Sequence, residues 1–373
     1  MRTAPPRAGR LTRGLPLILG ILAVSWSGPA HAEPPATLVV AVGGPAEDPA
    51  YLPVHVAAAL GTFEAEGVGV TLRRAKHPTG AVDLLRNREA GVAVTTLDQA
   101  VRGAWARGVP VRVLIAHTRA PAVVVVVSAV ATARVARVED LRGQKVGIPG
   151  PGTTGHLVLL HLLRKAGLKP WQVDIQSVGG AGLVARLARG DLAAAVIDEP
   201  WASRALAARA ATALLDLRRP EVADRSLGGP FYEIVSVTPS GARDGTPDTK
   251  PDEKAGKAGA VPAPPPEPAL QGFARALIRV QAWLAATPPA EIAERLPPSL
   301  VGDRDRFLAR LEAGHAAYVP TGEATDAGLT ATLAVLRGGT PWPLTVSIDA
   351  KDLRAPPAVT RARATLGPSP PAP

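Results

Sequence analysis

Residues 188–201 read ARGDLAAAVIDEPW, and the fold turns on this stretch. Ala194–Ile197 is a short apolar run between a turn signal, Gly190–Asp191, and an acid pair, Asp198–Glu199. That length and those boundaries predict a buried strand. Pro200 suits the first turn of a following helix, Trp201–Ala210, with Asp198 placed to cap it. Upstream, the spacing of Leu183–Ala188 predicts another helix. Strand and helix alternating at this pitch build helical layers on a mostly parallel sheet. Ligands of such sheets sit outside the carboxyl ends of the strands, where Asp198, Glu199 and Trp201 stand. A plain cap and a packed indole explain the same residues equally well, so both readings stay open.

The alternation extends in both directions. Val146–Ile148 and Val173–Val178 read as strands around a helix at His156–Ala166. The turn between the first strand and that helix, Gly150-Pro-Gly152-Thr-Thr-Gly155, is a literal G-x-G-x-x-G, with Asp174 near the acid's expected place. A dinucleotide site does not follow, because Asp174 opens its strand instead of ending it and the motif falls mid-chain. The phosphate-loop pattern also fails, since Thr153 stands where a lysine is required. What survives is a glycine-rich helix start with Thr153 and Thr154 at capping positions. It is either an ordinary cap or a site for a carboxylate, sulfonate or phosphate oxygen. Before this set lies another, with strands at Thr37–Val42, Val68–Leu72, Gly91–Thr95 and Val111–Ala116. Helices at Leu52–Ala59, Ala81–Arg86 and Leu97–Ala106 separate them. Thr95 and Thr96 hold the position there that Asp198 holds later. Five valines, Val123–Val127, predict a strand buried on both faces, and Tyr232–Val237 predicts a further one.

Composition bounds the rest. Four arginines (Arg2, Arg7, Arg10, Arg13), an apolar run over 15–26 and Ala30-His31-Ala32 before Glu33 form the three parts of an export signal, expected to be removed after residue 32. The apolar run falls well short of the ~20 residues a membrane span needs. Removal would lower the net charge from +10 to +6. With aromatics at 3% and no basic stripe, a nucleic-acid partner is not expected. The chain has no cysteine, which excludes disulfides, thiol chemistry and a lipid anchor on a mature N-terminal cysteine. A free periplasmic protein is therefore expected. The ~340 remaining residues suit two lobes. Ser240–Pro268 is rich in proline, glycine and charge and reads as a disordered insertion, and the tail from Ala355 reads as flexible. Catalytic patterns are poor: no G-x-S-x-G, no H-E-x-x-H, and His156 and His161 five apart, splayed around a helix. No metal, cofactor or catalytic residue is implied, and an enzyme is not expected.

Taken together, these motifs resemble in order and spacing the periplasmic binding proteins of ABC importers for sulfonates, taurine, nitrate and bicarbonate, on the side nearest the thiamine-precursor binders. Tyr51-Leu-Pro-Val-His-Val-Ala57 with Leu60-Gly-Thr-Phe63 and Gly67-Val-Gly-Val70 is similar to that family's opening. Val138–Gly147, Gly152-Thr-Thr-Gly-His156 with Lys165-Ala-Gly-Leu168, and Ala188–Leu192 running to Trp201 follow in register. Gly228-Gly-Pro-Phe231, Ala290-Glu-Ile-Ala293, Tyr318-Val-Pro320 and Gly328-Leu329 continue it, while the strand-like Val346–Leu353 keeps a trace of the closing segment. Gly91 and Ala193 depart from it, standing where the family carries an aspartate before a strand.

The resemblance implies a type II-like, two-lobed α/β fold with two hinge crossings, at Val123–Val127 and Tyr232–Val237. Lobe one would comprise 35–121 and 238–354, and lobe two 122–237. It also implies a small anionic or heterocyclic ligand in the cleft, bound by Thr153, Thr154, Gly155, His156, Asp198, Glu199, Trp201 and Phe231 against Tyr51, Thr95 and Thr96. The implied partner is an inner-membrane permease, with the binding protein a monomer. A ligand-sensing subunit, or a pyrimidine-precursor synthase on the same fold, are the alternatives.

Overall fold

The computed structural model describes residues 36–104, 108–131, 135–241, 262–338 and 348–366. The expected signal, 1–32, and most of the expected insertion, 242–261, lie outside them. Ten strands form two five-stranded sheets. The first sheet holds β1 (Ala36–Val42), β2 (Val68–Arg74), β3 (Val92–Thr96) and β4 (Val111–Ala116). The second holds β5 (Val123–Ser128), β6 (Lys145–Ile148), β7 (Asp174–Ser177), β8 (Ala194–Asp198) and β9 (Ala211–Asp216). β10 (Ile234–Pro239) returns to the first sheet, giving orders β2-β1-β3-β10-β4 and β7-β6-β8-β5-β9.

Each sheet is parallel apart from one strand that runs against both its neighbours, β10 between β3 and β4, and β5 between β8 and β9. Those two strands follow immediately after the chain changes sheets. The crossings are thus the segments before them, 117–122 and 228–233, and not the strands themselves. The end of lobe two that the resemblance implies, at residue 237, falls too late. Ile234–Val237 pairs with Thr96, Thr95, Val94 and Ala93 of the first sheet.

The valine run behaves as its composition dictates. Val123, Val125 and Val127 enter one core and Val124 and Val126 the other, all essentially inaccessible. A strand whose alternate side chains are both covered needs apolar residues at every position. Helices lie on both faces of each sheet. On the first, the long helix Glu267–Ala286 runs through the core with Phe273 stacked on Phe63. It starts inside the stretch read as an insertion, so that segment is shorter at its end than expected.

Two further expectations at the C-terminal end need correction. Ala350–Leu353, read as strand-like, is a helical turn with Leu353 buried. Pro357–Leu366, read as loose tail, is a helix whose Ala358, Val359 and Ala362 are buried in the core that Glu267–Ala286 crosses. Proline and arginine content suggested disorder, but the apolar residues recur at helical spacing and find a partner. Arg363 anchors the helix by donating to the carbonyls of Leu114 (3.2 Å) and Gly322 (3.0 Å). Deleting residues 355–373 should therefore cost about 2–4 kcal/mol in urea unfolding, from the lost apolar burial and hydrogen bonds. A truncated chain as stable as the full one would restore the loose-tail reading.

The helix Asp326–Gly338 spans both sets of elements. Leu329 and Leu333 join a core of the first sheet, while Val335 and Leu336 join a core of the second. The segment expected wholly in lobe one thus packs against helices of both.

Candidate functional site

The carboxyl ends of β1, β3, β6 and β8 and the second crossing bring polar residues together, as the placement of ligands in open α/β sheets would require. After β1 the chain turns through Asp48, whose Oδ1 accepts from Ala50 N–H at 3.0 Å and whose carbonyl accepts from Tyr51 and Leu52 N–H. This Asx-type turn opens the helix Leu52–Ala59 and fixes Tyr51 at its N-cap. The Tyr51 ring fills the space over Gly44, where a Cβ would overlap it. Tyr51 is 4% exposed, and its hydroxyl has no hydrogen-bond partner among the described residues.

From the second sheet, Asp198 ends β8 with one carboxylate oxygen, Oδ1, buried and unpartnered. From the crossing, Glu233 accepts from Ala122 N–H at 2.8 Å and from the Thr154 hydroxyl. Burial raises the Glu233 carboxyl to about 7, and the negative charges of Asp48 and Asp198 add to that. Burial also raises Asp48 and Asp198, with Glu199 contributing to both. The Tyr51 hydroxyl stands in the field of Asp48 and Glu233, and burial raises it as well. Glu233 thus stands in the field of both Asp48 and Asp198, with Arg310 partly offsetting Asp48. At an effective dielectric near 20, two like charges ~7 Å apart repel by about 2 kcal/mol, so a bound anion would meet a sizeable penalty here.

The remaining expected site residues are placed variously. Thr95 is fully buried, and its hydroxyl donates to Pro78 O at 3.0 Å, tying β3 to the helix Pro78–Arg86. Thr96 caps the next turn by accepting from Gln99 N–H at 3.2 Å. Thr153 is the N-cap of the helix Thr154–Lys165, its hydroxyl donating to Gly150 O (2.8 Å) and accepting from His156 N–H (3.4 Å). His156 turns its Nδ1 back to Gly152 N–H at 3.0 Å, and burial lowers its pKa. Gly155 is pressed against Pro149 and Val196 O. The glycine-rich turn thus satisfies several of its own N–H groups, leaving fewer for an oxyanion.

Glu199 accepts from Ser203 Oγ at 2.9 Å and pairs with Arg218, which also holds Asp216. Trp201 lies over Gly180 and under Arg204, whose guanidinium carbon is 4.6 Å from the ring centroid. It lines a groove of about 460 Å³ with Ala181, Val184 and Ala185. Phe231 is 3% exposed in the second sheet's core, its N–H bonded to Arg119 O in the other crossing.

Three residues escaped the sequence reading. Asp48 and Glu233 are two of them. The third is Arg102, on a π-helical turn, Ala100–Ala104, after β3. Its Nη2 bonds Asp98 at 2.8 Å and reaches Gly152 O at 3.3 Å, joining the first sheet's elements to the glycine-rich turn of the second.

Two five-stranded α/β sheets joined by paired crossings, with polar strand ends facing a common cleft, define the periplasmic binding-protein fold. The chain belongs to the NMT1/THI5-like family, whose model matches residues 48–238. A curated relative, the riboflavin-binding protein RibY of Chloroflexus aurantiacus, is 31% identical over 140 residues, which are 35% of this chain and 36% of that protein. The match thus spans about a third of that relative's length. A solved structure from Bordetella bronchiseptica RB50 is 23% identical with a TM-score of 0.63, covering 88% of this chain and 98% of its own. The periplasmic aliphatic sulphonate-binding protein of Escherichia coli is 17% identical with a TM-score of 0.52, over 74% and 84%. The periplasmic nitrate-binding protein of Synechocystis PCC 6803 is 14% identical with a TM-score of 0.58, over 90% of each chain.

Proposed function

We propose that this chain is the periplasmic solute-binding component of an ABC importer and captures a small molecule between its two lobes by closure. The observation that carries the reading is convergence: strand ends of both sheets and the second crossing supply polar groups to one cleft. Neither lobe completes that set alone, so a ligand gains most from the closed form and shifts the population toward it. Arg102, reaching Gly152 O, is placed to hold that form. The names of the similar proteins, binders of sulphonate, nitrate and riboflavin, support a binding role in place of catalysis. Residues 1–32 carry the export signal, and an inner-membrane permease receives the closed form.

Protein purified without refolding, and analysed by native mass spectrometry, would reveal a co-purified ligand. Small-angle scattering before and after its removal should show the radius of gyration rise as the ligand leaves. Superimposable profiles from loaded and stripped protein would rule closure out.

A further inference from the structure

We propose that the cleft selects an organic cation, because Asp48 and Glu233 flank the buried, unpartnered hydroxyl of Tyr51, and Asp198, with an unpartnered Oδ1, stands near Glu233. This rests on the cleft being the binding site. Three arginines near it are paired with other carboxylates. Arg102 is paired with Asp98, Arg218 with Glu199 and Asp216, and Arg119 with Asp224. Arg310 acts on Asp48 electrostatically, yet its hydrogen bond goes to Glu47 O at 3.5 Å. Two polar atoms remain without partners, the Tyr51 hydroxyl, on a side chain 96% buried by its 4% exposure, and Asp198 Oδ1. Buried polar groups left unpaired are costly, and a ligand supplying donors would satisfy both.

The carboxylates are spread, not clustered. Among the described residues, no three acidic or histidine side chains stand close enough to hold a metal ion. A distributed negative field suits an extended cation, such as a protonated amine or an amidinium edge, better than a point charge. Oxyanions would have to enter the same field, with the N–H groups of Gly152, Thr153 and His156 already bonded.

Proton linkage supplies a signature. Glu233 faces Asp48 and Tyr51 from the turn before the first helix, Asp198 from β8, and Thr154 from the helix start. With its carboxyl raised to about 7, Glu233 is mostly protonated at pH 6 and mostly ionised at pH 8. A cation of fixed charge prefers the ionised form, so its affinity should rise across that range.

Thermal shift and calorimetry with the full mature chain test this, using choline, agmatine and 4-aminopyridinium as cations and ethanesulfonate, nitrate and acetate as anions. The expected result is stabilisation by at least one cation and by no anion, with agmatine binding tightening several-fold from pH 6 to pH 8. Asp198→Asn should weaken cation binding tenfold or more, yet raise the melting temperature of the ligand-free protein by relieving carboxylate repulsion. Tyr51→Phe, which removes one hydroxyl, should weaken binding three- to tenfold without lowering stability. No stabilisation by any cation, or a ligand-free Asp198→Asn protein less stable than the parent, overturns the proposal. Scattering separates it from the closure reading. Compaction by an oxyanion leaves closure standing and rejects the cation. Cation binding that neither compacts the protein nor responds to Asp198→Asn rejects the cleft as its site.

Discussion

Phe273→Ala should destabilise the protein by about 3–5 kcal/mol, the range for truncating a large aromatic in a core that cannot collapse around the gap. Phe273 is completely buried, and its ring lies parallel to that of Phe63 with centroids 5.5 Å apart. Aromatics make up only 3% of the chain, so this stacked pair is a rare large-volume element in a core otherwise built from alanine, valine and leucine. Small neighbours leave little side-chain reach to refill the space. The backbone cannot follow either. At Gly272, a Cβ would come within 2.8 Å of Glu66 O and 3.1 Å of Val68, so the helix already touches its neighbours. Glu66 in turn is clamped by Arg275 and Arg279 of the same helix, at 2.5 Å each. Urea unfolding measures the loss directly, provided the slope is unchanged. A cost below about 1 kcal/mol would mean that this core relaxes far more freely than its contacts suggest.

How much of this was legible in the sequence depends on how far apart the partners lie. ARGDLAAAVIDEPW contains a strand start, a strand end and a helix start within fourteen residues, and β8 and the helix Trp201–Ala207 follow from it. Val123–Val127 likewise specifies a strand covered on both faces without knowledge of what covers it. Side-chain roles at the cleft are different in kind. Glu199 reads as a free acid until Arg218, nineteen positions on, arrives to pair with it. Thr95 reads as an exposed strand end until Pro78 O takes its hydroxyl. Glu233 left a local signal, an acid inside the apolar run from Phe231 to Val237, but its meaning required Ala122 N–H, 111 positions away. Pattern reports which strand end a residue occupies, while long-range pairing decides whether its charge is spent or available. The tail shows the converse: its proline and arginine content reads as loose chain, while Ala358, Val359 and Ala362 lie at helical spacing and are buried.

Between pH 7 and pH 5, His117 should by itself cost the folded protein about 2 kcal/mol. His117 sits in the first crossing, wholly inaccessible, with Nε2 2.7 Å from Ser236 Oγ of β10 and Nδ1 without a partner. Burial lowers its pKa from 6.5 to about 3. A group whose folded pKa is depressed below its unfolded value, and whose charged form is the protonated one, stays neutral in the folded state while the unfolded chain takes up the proton. Stability is then lost as pH falls below 6.5, at about 1.4 kcal/mol per unit, or about 2 kcal/mol by pH 5. His161, 5% exposed and lowered to about 4 by burial and by Arg164 and Lys165, has the same sign and a similar size over that interval. Glu233 opposes them. Its folded pKa of about 7 exceeds the unfolded 4.5, so the folded state gains as pH falls through that window, by at most about 2 kcal/mol because the side chain is partly open to solvent. His156, lowered by burial, acts with the two histidines, while Asp48 and Asp198, raised by burial, act with Glu233, so the His117 share is read as the difference between the parent and a His117 variant. Replacing His117 with glutamine removes its share, so between pH 7 and pH 5 the variant should lose about 2 kcal/mol less stability than the parent, even if it is less stable at pH 7. Urea unfolding of both proteins at pH 5, 6 and 7 decides the matter. Parallel profiles would show that His117 does not change protonation on unfolding, and the pH sensitivity would then have to originate away from the crossing.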